Sequence, residues 1–312
     1  MTARNIGLLI LLSALWGGVF LLVKYALRDF SAVEVAFLQA VVGAFGLFVI
    51  VSAKGGEARS ALGDILRRPG PALLLGALAI AAPFMLIALG ELTVPSGLAG
   101  VLASMAPMFI ALFAPFIDRS EEINRRQGIG LAIGLLGVAL VVGAHLVGSL
   151  GQLIGALALL GAAASGGASS FVVKLWYKDK GIPASTTSFF ALSVGALLTL
   201  PVAVVTAPRE LPGIQAVLAV IALGLICTAV AFMLYYWLIA RIGEERASLA
   251  NYLTPAFALF YGVLLLGETL TVWAVIGLVL IIAGAEITLR GASTRRSRGV
   301  ASAQSQAHPP FH

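Results

Sequence analysis

The chain has 312 residues, 60% of them apolar and only 11% charged, with a net charge of +6. Soluble domains carry roughly 25% charged and 45–50% apolar residues, so 20 Lys and Arg with 14 Asp and Glu cannot cover a water-soluble fold of this size. The lone cysteine, Cys227, excludes an intramolecular disulfide and a cysteine metal site, and no metal or cofactor is expected.

Apolar runs of about 18–25 residues recur along the chain, each long enough to cross a hydrocarbon core of roughly 30 Å as a helix. They do not alternate apolar with polar residues as barrel strands would. In chain order the predicted spans are Ile6 to Leu27, Ala32 to Val51, Pro71 to Gly90, Pro95 to Ile117 and Gln127 to Ala144. A short link follows, and then Gln152 to Trp176, Thr186 to Thr206, Ala216 to Ala240, Ala247 to Leu266 and Thr271 to Leu289. The first run, beginning after Arg4, is long for a signal peptide and is read as a retained helix. The fold class is an all-α integral membrane protein with ten transmembrane helices.

With the N-terminus placed in the cytoplasm, 17 of the 20 Lys and Arg fall on the inner side, leaving only Lys24, Arg28 and Arg209 outside. This bias supports ten spans with both termini cytoplasmic. The same loops and tail account for the net charge without nucleic acid as a partner. Residues 291–312, rich in Ser, Arg, Gln, Ala and Pro, read as a disordered basic tail.

The chain repeats itself. Gly17 to Lys24 matches Gly167 to Lys174 at an offset of 150, Phe84-Met85-Leu86 matches Phe232-Met233-Leu234, and Pro107 matches Pro255, the last two offset by 148. Gly130-Leu131 and Gly137 match Gly277-Leu278 and Gly284 at 147. Residues 5–145 and 150–290 are therefore read as two five-helix repeats. Five is odd, so the second repeat enters the membrane from the opposite side. Such inverted repeats suit alternating access.

Leu238 to Leu249, Leu253-Thr254-Pro255 and Leu265-Leu266-Gly267-Glu268-Thr269-Leu270 resemble the closing part of the EamA repeat of the drug/metabolite transporter superfamily. Ala88-Leu89, Pro95-Ser96-Gly97 and Ala106-Pro107 resemble the same part of a first repeat, and Leu15-Trp16-Gly17-Gly18 the opening helix. The resemblance spans about residues 5–290 and implies export or exchange of small metabolites, amino acids or drugs. Two positions depart from the family pattern. Gln39 stands where an arginine is frequent, and Asp118-Arg119-Ser120-Glu121-Glu122 blurs the Gly-Glu motif of the first repeat.

Ser13, Gly17, Phe20 and Lys24 share one face of the first helix, and Ala163, Gly167, Ser170 and Lys174 the matching face of the sixth. Small and polar residues there either line a central cavity or pack helices closely. Lys24 either snorkels to the boundary or binds an anionic substrate group. Pro107 and Pro255 are expected to kink the fourth and ninth helices and free the carbonyls of Ala103 and Asn251. Asn251, Tyr252 and Thr254 cluster there as candidate binding groups. Trp16, Phe20, Tyr235, Tyr236 and Tyr252 are candidate apolar walls, whereas Trp237 and Trp273 read as interface anchors. Gly130-x-x-x-Gly134 serves packing either within the chain or in a homodimer.

Proton coupling generally needs a titratable group inside the membrane. Small multidrug proteins of the superfamily place a glutamate in the first helix, and this first helix has no acid. Glu91, Glu268 and Glu286 lie near predicted boundaries, where solvation explains them, so facilitated transport or exchange is expected. A membrane-embedded enzyme would want carboxylate clusters or a nucleophile with its base, and a channel would want a polar filter or charged ring. Neither pattern is present. The expected protein is a secondary transporter of a small molecule in the inner (plasma) membrane.

Overall fold

The computed structural model describes residues 2–52, 69–117, 124–146, 149–177, 182–206, 210–269 and 271–288. The expected tail over 291–312 and the stretch Asp118 to Glu122 lie outside the described residues. Among the described residues ten long helices follow one another: α1 Ala3–Ala26, α2 Ala32–Ser52, α3 Pro69–Glu91, α4 Ser96–Ile117, α5 Arg125–Leu146, α6 Leu150–Tyr177, α7 Ala184–Val205, α8 Ile214–Ile242, α9 Leu249–Leu266 and α10 Val272–Thr288. Nine are long and apolar enough to cross a membrane, and α10 is shorter within the described residues. Their outer faces carry Phe45, Leu136, Leu157, Leu197, Leu264 and Val279, all more than half exposed. Water would penalise such a surface and lipid does not.

Local chemistry sets the helix ends. Ser31 and Glu34 form a reciprocal capping box at α2, with the Ser31 N–H donating to Glu34 Oε2 at 2.7 Å and the Glu34 N–H to Ser31 Oγ at 3.3 Å. Asn124 and Gln127 do the same for α5. Gly243 after α8 and Gly267 after α9 adopt φ of 83° and 67°, which glycine reaches without steric cost.

The repeat appears in the packing. The Cα of Gly17 in α1 lies so close to α9 that an added Cβ would meet Phe257 Cβ at 2.5 Å, Thr254 O at 2.9 Å and Ala258 N at 3.0 Å. Gly167 in α6 meets Phe109 Cβ, Ala106 O and Ile110 N of α4 at 3.0, 3.1 and 3.2 Å. Each residue of the second trio stands 148 positions before its counterpart in the first. Likewise α1 packs on α8 as α6 packs on α3, α2 packs on α8 as α7 packs on α3, and α2 meets α7 across the pseudo-twofold axis. The axis exchanges helix n with helix n+5. Helices α5 and α10 join through glycines: Gly284 faces the backbone of Gly130 and Gly134, and Gly277 faces Gly137 O. The motif Gly130-x-x-x-Gly134 thus packs within the chain.

Among the described residues three helices contain π-helical segments: Ala77–Ala81 in α3, Val173–Tyr177 in α6 and Leu225–Val230 in α8. The first and third begin 148 positions apart, so the repeat extends to the winding of the backbone. The proline effects are unequal. Helix α4 breaks at Ser104-Met105, just before Pro107, into Ser96–Ala103 and Ala106–Ile117. Helix α9 continues through Pro255.

Candidate functional site

The small face of α1 is a packing face. Ser13 is buried, and its hydroxyl donates to Leu9 O at 2.8 Å and across to Ala250 O of α9 at 3.1 Å. Phe20 is buried in the core formed with α4 and α9, against Gly100. Lys24 is half-buried. Its ammonium donates to the carbonyl of Glu91 and to that of Val94, the latter at 3.0 Å. These acceptors lie at the last turn of α3 and in its link to α4. Carbonyls there have no intrahelical partner and form the negative end of the helix dipole.

Glu91 is not a solvated helix terminus, contrary to the sequence expectation. Glu91 is wholly buried, and no donor among the described residues reaches either carboxylate oxygen. Lys24 and Glu268 are the charged groups that act on it. Glu268 leaves the αL turn at Gly267 and caps α4, accepting the Ser96 N–H at 2.6 Å and the Gly97 N–H at 3.0 Å. Pro95, the residue before α4, offers no capping side chain. The Gly-Glu motif of the second repeat therefore fastens the first. Burial of Glu91 left no trace in the sequence, because it depends on which other helices pack against the end of α3.

Further bonds tie the two halves at the Lys24 end. Arg28 donates to Gln215 Oε1 at 3.2 Å, the Gly213 N–H donates to Asp29 Oδ2 at 2.9 Å, and Thr93 Oγ1 donates to Gly151 O at 3.0 Å. The last bond places the start of α6 beside the α3–α4 turn, so α6 runs away from the Lys24 end and carries Lys174 to the opposite one. There Ser170 and Lys174 are exposed, and Lys174 lies in the π segment. At that same end Arg4 and Arg241 both stack on Trp237, at 5.7 and 5.1 Å from the ring centroid.

Between the ends the aromatic residues form a chain. Trp16 and Tyr235 meet at 5.2 Å between centroids, Tyr235 and Tyr236 at 6.0 Å, and Tyr236 and Phe232 at 6.2 Å. The Tyr236 hydroxyl bonds to that of Ser188 in α7. Nearby, Gln39 of α2 donates to Thr228 Oγ1 at 3.2 Å, and Thr228 in turn donates to Leu223 O beside the π segment of α8. The sequence singled out Gln39 as a departure from the family pattern without indicating this partner.

A separate cleft opens between the break in α4, the start of α9 and α10. Ser104, Pro107, Ser248, Asn251, Tyr252, Ile281, Ile282 and Ala285 line it. The structure thus brings Pro107, Asn251 and Tyr252 together and adds Ser104 and Ser248, which the sequence did not single out. Thr254 turns away, its hydroxyl donating to Ala250 O at 2.9 Å within α9, and Pro255 is buried. Trp16 and Tyr235 pack with Ala247 and Ala250, on a different face of the α9 start from Asn251. Among the described residues no charged side chain lines the cleft.

The sequence profile of the EamA-like transporter family matches residues 4–143 and again residues 153–290. The chain belongs to this family. The first match runs over helices α1–α5 and the second over α6–α10. The chain is 27% identical over 280 residues to the uncharacterized transporter YoaV of Bacillus subtilis, covering 88% of this chain and 93% of that one. It is 27% identical to a probable terminal-alkyne amino-acid exporter of Streptantibioticus cattleyicolor, over 94% of this chain and 96% of the relative. It is 26% identical to a probable amino-acid metabolite efflux pump of Salmonella typhimurium, over 96% and 99%. A solved crystal structure matches with a TM-score of 0.63 at 21% identity, covering 94% of this chain and 99% of that one, and shows the same fold. The protein is a secondary transporter of small metabolites in a multi-pass membrane fold.

Proposed function

We propose that this EamA protein exports small, neutral or zwitterionic metabolites, amino acids among them, across the inner (plasma) membrane by alternating access. Its termini are cytoplasmic and it performs no chemical step on its cargo. The observation that carries the reading is the mirrored packing of Gly17 on α9 and Gly167 on α4, combined with unequal packing at the two ends. Helix α1 packs against the last turns of α3 and the first turns of α4. Among the described residues, α6 has no comparable packing on the end of α8 or the start of α9. Two like units in unlike arrangements can exchange them, which moves an opening from one end to the other. The names of the two exporter relatives support the cargo class, and so does the uncharged lining of the cleft. Phosphorylated cargo would require basic groups there.

In this reading the Asn251 amide, exposed at the cleft, holds the polar part of the cargo, with Tyr252 and Pro107 as its walls. Trp16 and Tyr235 brace α1 against α8. Purified protein in liposomes, offered a mixed pool of amino acids and small metabolites, is expected to admit one class selectively and saturably, as read by mass spectrometry. Asn251→Ala is expected to raise KM for that class about three- to tenfold, the weight of one hydrogen bond, with protein yield unchanged. Uptake no greater than in empty liposomes from amino-acid, drug and sugar pools alike would refute the reading.

A further inference from the structure

We propose that Lys24 and Lys174 are the two members of an alternating latch. Lys24 closes one end of the protein in the state described here, and Lys174 closes the other end in the opposite state. The inference rests on the transporter reading and reassigns both lysines from cargo binding to gating.

Four observations carry it. The lysines are repeat partners, each seven residues after a glycine, Gly17 or Gly167, that packs on mirror-related atoms. Lys24 ties α1 to the carbonyls of Glu91 and Val94, at the end where α1 packs against α3 and α4. Lys174 is exposed, at the end where α6 lacks comparable packing on α8 and α9 among the described residues. Finally, the repeat partners of Glu91 and Val94, at the offset of 148, are Ile239 and Ile242, which close α8 as Glu91 closes α3. The latch uses backbone carbonyls, so Ile239 and Ile242 offer the same acceptors although their side chains are apolar. A carbonyl has two lone pairs, so Ile239 O can accept Lys174 in addition to the Gly243 N–H it already holds at 3.0 Å.

The backbone supplies the moving part. Lys24 sits on regular α-helix, whereas Lys174 sits in the π segment Val173–Tyr177. A π segment holds one extra residue in a turn, so Lys174 stands on a wider winding than Lys24 does. Rewinding that segment to α-helix would return Lys174 to the geometry Lys24 has now. The two latches are also unequal. Beside Lys24 lies the buried carboxylate of Glu91, and the corresponding side chain at the other end is Ile239. The other groups around Glu91 are accounted for. Glu268 is held by two N–H groups, Glu34 of α2 by the Ser31 N–H, and α6 carries no ionisable side chain over Leu150–Val172.

The test reads both ends at once and needs no cargo. In a Cys227→Ala background, Val94→Cys and Ile242→Cys are introduced singly, and the full-length protein in lipid nanodiscs is titrated with a water-soluble maleimide. Val94 is 1% exposed, so its cysteine reacts slowly. Adding Lys24→Met is expected to speed labelling of Val94→Cys by roughly tenfold or more, the weight of a charged hydrogen-bond pair, and to slow labelling of Ile242→Cys. Lys24→Arg is expected to restore protection. Lys174→Met is expected to protect Val94→Cys further. Unchanged rates in Lys24→Met, or rates that rise together at both ends as in a loosened fold, would overturn the latch. Reciprocal labelling without flux in liposomes would count against the transport reading instead.

Discussion

Glu268→Ala is expected to be the most damaging single substitution outside the membrane-spanning helices, costing about 2–3 kcal/mol. The first N–H groups of a helix have no intrahelical acceptor. At α4 two of them point at one carboxylate, and Ser96 is wholly buried. Water cannot take over a buried donor, so removing Glu268 leaves both unsatisfied in apolar surroundings, where each counts for more than at a surface. Glu268 also bridges the halves, since it leaves α9 of the second repeat to cap α4 of the first. Glu268→Gln keeps one acceptor oxygen and is expected to retain about half the stability. Thermal unfolding in detergent, compared among wild type, Ala and Gln, checks this. Equal midpoints for all three would show that the cap contributes nothing.

The second large effect is expected from Gly284→Ala, which should lose at least about 2 kcal/mol by forcing α5 and α10 apart. The new methyl would stand 2.6 Å from Gly130 O, 2.6 Å from Gly134 N and 2.8 Å from Gly134 Cα. All three are backbone atoms, which cannot swing aside as a side-chain tip does. Gly134→Ala makes an instructive contrast. Its nearest atoms, at 2.2 and 2.3 Å, are the tip of Met108, an unbranched side chain that repacks easily. It should therefore be milder despite the shorter distances. Gly7→Ala meets nothing within 4 Å and should be neutral or stabilising by up to about 1 kcal/mol, because alanine is the better helix former. If Gly284→Ala unfolds at the temperature of Gly7→Ala, the account of the α5–α10 contact is wrong.

Much of the fold was legible in the sequence because membrane helices are dictated by length and apolarity. The expected spans agree with α1 to α10 within a few residues, and the offsets of 147–150 recur as mirrored atomic contacts. The faces were less legible. Glycine, alanine and serine at helical spacing serve a cavity and a tight contact equally well, and only the position of α9 shows that Ser13 and Gly17 make the contact. Lys24 was hardest to read, since its acceptors are carbonyls and every residue has one. Glu91 falls at the end of an apolar run, which in sequence implies water, but the fold buries it completely. The candidate cleft was half visible through Asn251, Tyr252 and Pro107. Ser104 joined it because α4 breaks open at Ser104-Met105, in the turn before Pro107.

The central claim is transport by alternating access, and trans-stimulation tests it most directly. Proteoliposomes are preloaded, or not, with an unlabelled compound that the pool assay finds entering, and uptake of its labelled form is timed. A carrier that exchanges two like halves returns faster loaded than empty, so preloading should accelerate labelled uptake several-fold, and Lys24→Met and Lys174→Met should each reduce that acceleration. Uptake at the same rate with and without preloading, and without saturation as concentration rises, would mark an open pore and contradict the account.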